Sequence, residues 1–226
     1  MGLQVLRVSR LAVALAAGLA AAACSSAGSQ SEAKLMPEVQ TVASGATSVH
    51  MTGSVHQGKQ TATFDVSFSG TSVAGTLGLD GNSFGVLVLG GVTYVKVNAA
   101  FLTAENAPAS VCAKVCGKYV ELPTGTASQI TGLLSRQALT TSVVSNKNLS
   151  AAGNGTCVFS PATRNGQSVL ECRQGAFTLD ISARGKPYIV YFGGPHGEYI
   201  TFSQWDGVTP PTAPPASQVV SINSLG

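Results

Sequence analysis

Thr61-Ala-Thr-Phe-Asp-Val-Ser-Phe-Ser69 alternates polar and apolar residues without a slip. In an extended chain Ala62, Phe64, Val66 and Phe68 then share one face, and Thr63, Asp65 and Ser67 the other. The same reading extends outward. Ser48–Val55, Val73–Leu79, Phe84–Leu89 and Val92–Val97 are predicted strands. The breaks between them are short and rich in turn residues: Gln57-Gly58-Lys59, Ser69-Gly70-Thr71, Asp80-Gly81-Asn82 and Gly90-Gly91. Such spacing predicts an antiparallel meander. The fourth run, Phe84–Leu89, is apolar on both faces, as a central strand covered on both sides would be.

Upstream, Arg7 and Arg10 precede an apolar run from Leu11 to Leu19 and then Ala21-Ala22-Ala23-Cys24. This is the pattern of an export signal, expected over residues 1–23. A Cys directly after small residues is similar to a bacterial lipobox. Cys24 is therefore the expected lipidation site, to be tested with radiolabelled palmitate, and residues 24–31 the tether. The remainder, 32–226, is expected to be one domain with a Pro-rich tail around Pro210–Pro215. The 226 residues less a 23-residue leader leave 203, enough for one sizeable core. Loss of two arginines lowers the formal net charge from +3 to +1, and so near-neutral a surface argues against nucleic acid. Only 10% of residues are charged and 26 are Gly, a composition that fits an exported β protein better than a helical bundle.

Apart from Cys24, the cysteines are 112, 116, 157 and 172. An even number in an exported chain points to disulfides, and Cys112–Cys116 with Cys157–Cys172 closes two local loops. A four-Cys metal site would need a second pair matching the CxxxC spacing, and none is present. The segment 98–123 around the first pair reads as irregular, with Lys118–Leu122 a short strand or a wall segment. Two helices are expected. The first folded segment, Glu32–Ala46, has Leu35, Val39, Val42 and Ala43 at helical spacing. Pro37 inside it suits a helix that starts there, with Pro near its first turn, and Gly45 can end it. Thr126–Val144 carries an apolar stripe of Ile130, Leu133, Leu134 and Ala138. Further strands are expected at 156–159, 168–172, 176–182, 188–192 and 198–205, the last closing the sheet.

Catalytic motifs are scarce. Gly81-Asn82-Ser83-Phe84-Gly85 fits the G-x-S-x-G elbow, but that motif needs a strand-to-helix turn, and here a strand follows. His50, on the polar face of its strand, His56 next to a turn and His196 in a turn belong to no ligand pattern and read as surface or cap histidines, and no phosphate-binding or dinucleotide motif occurs. No catalytic residue, metal or cofactor is expected. Two helices cannot cover so many half-apolar strands, so either the sheet closes on itself or a cavity remains. A cavity so lined would bind acyl chains, each buried CH₂ contributing roughly 0.8 kcal/mol.

Several stretches resemble the LppX/LprAFG-like lipoproteins of the actinobacterial envelope. They are Thr47-Ser-Val-His-Met-Thr-Gly53, Phe84-Gly-Val-Leu-Val-Leu-Gly-Gly-Val-Thr-Tyr-Val-Lys96, Lys118-Tyr-Val-Glu121 and Ile200-Thr-Phe-Ser-Gln-Trp205. The resemblance implies an α+β fold: one strongly curved antiparallel sheet, a half-barrel, with helices on its concave side, similar to the Lol lipoprotein carriers. It implies a non-enzymatic, membrane-anchored protein on the outer face of the cytoplasmic membrane. Such a protein binds acylated lipid or glycolipid in a hydrophobic cavity and helps move it across the envelope. The four extra cysteines and the 98–123 segment depart from the family pattern. The expected lining is Phe64, Val66, Phe68, Leu77, Leu79, Val86 and Val88 from the sheet, with Ile130, Leu133 and Leu134 from the second helix. A monomer is expected, with any envelope transporter partner unnamed. The alternative is a structural or interaction lipoprotein whose core is filled and which takes no ligand.

Overall fold

The structure, a computed structural model, describes residues 29–57, 60–124 and 157–222, together with 126, 127, 136, 137, 140 and 143. The export signal, Cys24, most of the tether and Ile130, Leu133 and Leu134 lie outside the described residues.

Among the described residues thirteen strands form one sheet, curled but not closed. The opening stretch sits in its first meander: β2 (Ser48–Gln57), β3 (Gln60–Ser69), β4 (Ser72–Leu79), β5 (Asn82–Leu89), β6 (Val92–Lys96) and β7 (Tyr119–Glu121), each antiparallel to the next. A second meander holds β8 (Val158–Arg164), β9 (Gln167–Gln174), β10 (Phe177–Ser182), β11 (Ile189–Gly193) and β12 (Tyr199–Ser203). The expected strands are thus present, with ends shifted by a few residues. One role differs. β12 does not close the sheet; it lies in the middle, antiparallel to both β11 and β2, and joins the two meanders.

The edges were not foreseen. β1 (Gln30–Ser31) pairs with β8, and β13 (Val219–Ser221) pairs parallel with β7. The Pro-rich tail runs extended, as expected, and then returns through a 3₁₀ turn at Ala216–Gln218 to supply that last strand.

Register explains the core. Phe202, Met51, Val66, Gly75, Val86, Val95, Val120 and Val220 form one cross-strand row. Seven of these eight are apolar with a side chain, so the apolar set of one strand continues the next. The exception, Gly75, has φ +156°, and a Cβ there would stand 2.1 Å from the Asp65 carbonyl oxygen. No larger residue fits between β3 and β4 at this point.

Helix α1 (Glu32–Gly45) starts five residues before Pro37, not at it. Its start is held by β8: the Glu32 N–H donates to the Cys157 carbonyl at 3.0 Å, and the Glu32 carboxylate accepts from the Cys157 N–H at 3.1 Å. That exchange satisfies helix-end groups that would otherwise need a capping side chain. Leu35, Met36, Val39 and Ala43 are buried, so Met36 takes the place expected of Val42. They pack with Val49, Met51, Val66, Phe68, Val86 and Val88 of the first meander and with Phe159, Leu170, Leu179 and Ile181 of the second.

The segment 98–123 is not irregular. It holds two short helices, α2 (Ala99–Ala104) and α3 (Ala109–Val115). Asn98 caps α2 by accepting the Phe101 N–H at 2.8 Å, and its side-chain amide donates to the Ser83 carbonyl. Phe101, Leu102, Val111 and Val115 then cover Val95, Val97 and Val120 in a second, smaller cluster. Both expected disulfides are present, Cys112–Cys116 across one turn of α3 and Cys157–Cys172 beside the β8–β9 hairpin. The described positions between 124 and 143 are helical, as expected of the second helix. Arg136 from that segment donates to the carbonyls of Ala43 and Ala46, capping the C-terminal end of α1, and Val143 joins the main cluster.

Urea unfolding reads three stability outcomes. Replacing both Cys157 and Cys172 by Ser, which opens a link between residues 15 apart, should cost about 3 kcal/mol. The same change at Cys112 and Cys116, only 4 apart, should cost less. Gly75→Ala should cost about 1–3 kcal/mol through overpacking against the β3 backbone.

Candidate functional sites

The two faces of the first meander present different chemistry, and each carries a candidate site. On the apolar face, the expected lining residues fall into two groups. Val66, Phe68, Val86 and Val88 are buried and packed under α1. Phe64 and Leu77 are half-buried at the margin of that cluster, and Leu79 is 40% exposed. Register explains the gradient. Gly53, Phe64, Leu77 and Phe84 form a row one step beyond the helix-covered zone. Phe64 lies over Gly53, where a Cβ would meet its ring at 2.5 Å. Phe84 turns to α2, its ring centroid 4.9 Å from that of Phe101. This row therefore bridges the two clusters. The next row, Val55, Ala62, Leu79 and Asn82, is the rim of the sheet. The apolar surface thus continues past the described helical residues and thins out at the rim.

The polar face is dense in hydroxyl groups. Thr52, Thr63, Asp65, Thr76 and Tyr199 line a groove of about 260 Å³ beside Gly53 and Phe64. Cross-strand pairing brings the polar residues together. Thr52 stands opposite both Thr201 and Asp65, and Asp65 opposite Thr76. His50, read from sequence as an isolated surface histidine, links three strands. Its Nε2 lies 2.7 Å from Asp65 Oδ1 and its Nδ1 3.1 Å from Ser203 Oγ. With an N–H on Nε2, the imidazole donates to the carboxylate and accepts from the Ser203 hydroxyl. Alternation already placed Asp65 and His50 on one face. Ser203 was not legible as their partner, because the β12–β2 pairing is long-range.

Three residues in a Ser–His–Asp chain raise the question of nucleophilic catalysis. That chemistry needs a serine at the substrate and backbone N–H donors aimed at the developing oxyanion. Ser203 does not line the groove, and the register pairs its strand on both sides. The chain instead orients Asp65, the one member that faces the groove. Ser83, the serine of the G-x-S-x-G match, lies within β5. Asp80 and Gly81, at φ +48° and +86°, make the two-residue turn before it, so the strand-turn-helix of a nucleophile elbow is absent there. Among the described residues no group of three or more His, Cys, Asp or Glu is placed to hold a metal ion. No described helix is long and apolar enough to cross a membrane.

Two other charged clusters serve the fold. Asp180 is fully buried and paired with Arg164, whose guanidinium lies 3.8 Å from the centre of the Tyr191 ring. Burial pushes the Asp180 carboxyl up, against the opposing pull of Arg164. Asp206 clamps the start of β2. It accepts from the Tyr188 hydroxyl and from the N–H and hydroxyl of Thr47, at 2.7 and 3.0 Å for the latter two. The Tyr188 hydroxyl first, and the Thr47 N–H next, hold the Asp206 carboxyl well below the usual carboxylate range. Tyr188 in turn stacks on Trp205, whose indole N–H donates to the Ile189 carbonyl at 2.8 Å.

No protein-family model matches the chain, and no curated protein matches it.

A lowered carboxylate pKa contributes stability that is present above the unfolded value and is lost as pH falls through the folded one. Asp206→Asn should therefore lower Tm near neutral pH. Its difference from the unaltered protein should narrow progressively as the pH falls below the ordinary carboxylate value of 3.8, read from thermal melts in a buffer series. Asp180 has the opposite sign: its contribution is present at low pH and lost as pH rises through its raised value.

Proposed function

We propose that the protein is a membrane-anchored lipoprotein of the cell envelope that binds acylated lipid or glycolipid and helps move it across the envelope. On this reading Cys24 carries the lipid anchor, the helices occupy the concave side of the curled sheet, and the protein is not an enzyme. One observation carries the proposal: the apolar face extends beyond the described helical residues that pack on it, from Phe64 and Leu77 to a 40% exposed Leu79. A soluble sheet ordinarily ends its apolar set where its cover ends, because exposed apolar area has no compensating partner. An acyl chain laid along Phe64, Leu77 and Leu79 would bury that margin, each CH₂ adding roughly 0.8 kcal/mol. Rows of half-buried aliphatic and aromatic side chains bind such chains by area and shape, without directed polar contacts.

A second reading has its own observation. Val39, Met51 and Val66 have no exposed surface, so the face beneath α1 is solid core. A structural or interaction lipoprotein with no ligand would have such a filled core. The two readings differ at the rim, where one expects a ligand and the other water.

Native mass spectrometry of the full-length protein taken from membranes separates them. The lipid reading expects an adduct of lipid mass that organic extraction removes and that Leu79→Asp depletes. A bare protein mass before extraction supports the filled core. Radiolabelled palmitate incorporated in the unaltered chain, and absent from Cys24→Ser, is expected in either case.

A further inference from the structure

The groove on the polar face adjoins the apolar margin at Gly53 and Phe64, which line both, but its polar lining takes no part in the reading above. Its lining combines three elements: side-chain hydroxyls at Thr52, Thr63 and Thr76, a carboxylate at Asp65, and the ring of Tyr199, which is 41% exposed. At about 260 Å³ it is smaller than the roughly 300–1,000 Å³ of pockets that take drug-sized ligands.

We propose that this groove is a carbohydrate subsite holding one pyranose ring. A sugar ring offers an apolar C–H face and a rim of hydroxyls, each both donor and acceptor. The exposed Tyr199 ring supplies an apolar platform with a polar tip. Threonine hydroxyls match sugar hydroxyls because they too can donate or accept. Asp65 accepts only, and charge-assisted hydrogen bonds from two neighbouring sugar hydroxyls are the strong contacts of such a site.

The carboxylate is prepared for this. Oδ1 is held by His50 Nε2 at 2.7 Å, and His50 is held from behind by Ser203 at 3.1 Å. Oδ2 has no hydrogen-bond partner among the described residues, although the Asp65 side chain is 69% exposed. The relay fixes the orientation of the carboxylate while leaving an oxygen for the ligand. Ser203 and His50 are thus positioning residues. A simple ammonium ligand would engage Asp65 and Tyr199 but leave three threonine hydroxyls without a partner, so an uncharged polyol fits the whole lining better. The sugar could belong to an envelope polysaccharide or to the head of a glycolipid, and the same lining serves both.

Saturation-transfer NMR on the full-length chain tests the proposal. The probes are methyl glycosides of glucose, mannose, galactose and arabinose, with octyl glucoside as the glycolipid mimic and tetramethylammonium as the cationic control. Transfer to the ring protons of at least one methyl glycoside is expected. It should vanish in Tyr199→Ala and weaken about tenfold in Asp65→Asn, with Tm unchanged in both. His50→Ala should weaken it similarly, and His50→Gln, whose amide can still donate to Asp65, should restore it. Stronger binding of octyl than methyl glucoside, reduced by Leu79→Asp, would mark a glycolipid source; equal binding would mark a free glycan. Three results overturn the proposal: no transfer to any glycoside, transfer untouched by both Tyr199→Ala and Asp65→Asn, or transfer to tetramethylammonium alone. Failure of lipid to bind the rim leaves each of these readouts intact.

Discussion

The antiparallel pairing of β12 with β2 is the constraint on which the rest depends. Each meander is built from neighbours in sequence, so its hairpins form from local contacts. The seam is different. Phe202 must find Met51, and Ile200 must find Gly53, across most of the folded chain. Long-range pairings of this kind pay loop-closure entropy before they gain contacts. Here the gain is concentrated. The Asp206 carboxylate on Thr47, the Trp205 indole on Ile189 and the Val208 N–H on the Ser48 hydroxyl all act within a few residues of the seam. Once it is made, one continuous apolar face spans both meanders and α1 has a surface wide enough to cover.

The two clusters on that face are not equivalent. The larger is sealed from both ends, by Glu32 on Cys157 at the start of α1 and by Arg136 on Ala43 and Ala46 at its finish. The smaller rests on two short helices whose internal hydrogen bonds are few, so packing of Phe101, Leu102 and Val111 has to hold them. Between the two, Phe64, Leu77 and Phe84 are shared by neither fully. A row in that position can yield to a ligand at lower cost than residues such as Val66, whose displacement would open a cavity in solid core.

What was legible in the sequence follows the range of the interaction. Period-two alternation at Thr61–Ser69 identifies the strand and its faces, because side-chain direction is local. Asp80-Gly81 and Gly90-Gly91 identify hairpins, because they supply the positive φ that two-residue turns require. The disulfides were legible because each links near neighbours. The position of β12 was not, since nothing at Tyr199–Ser203 encodes which distant edge it will meet. Nor was β13, whose three residues carry too little pattern to stand out beyond the prolines. Helices α2 and α3 escaped because each is shorter than the window in which a helical period can be read. The start of α1 was misread at Pro37, because its true end-group partner is Cys157, 125 residues away. For the polar groove the same rule holds: Asp65 and His50 were placed on one face, but Ser203 and Tyr199 come from across the seam.

A sheet this wide has two ends, and both are short. β1 contributes two residues and β13 three. An open sheet exposes unpaired N–H and C=O groups along its margin, and a long flat margin recruits further chains. Among the described residues, the margin they leave open is Ser160–Arg164 of β8, where Pro161 has no N–H to offer a neighbour. If the chain is anchored as proposed, its copies meet far more often on the membrane surface than they would in free solution. For such a molecule blunt ends set how densely copies can be stored side by side without growing into a fibre.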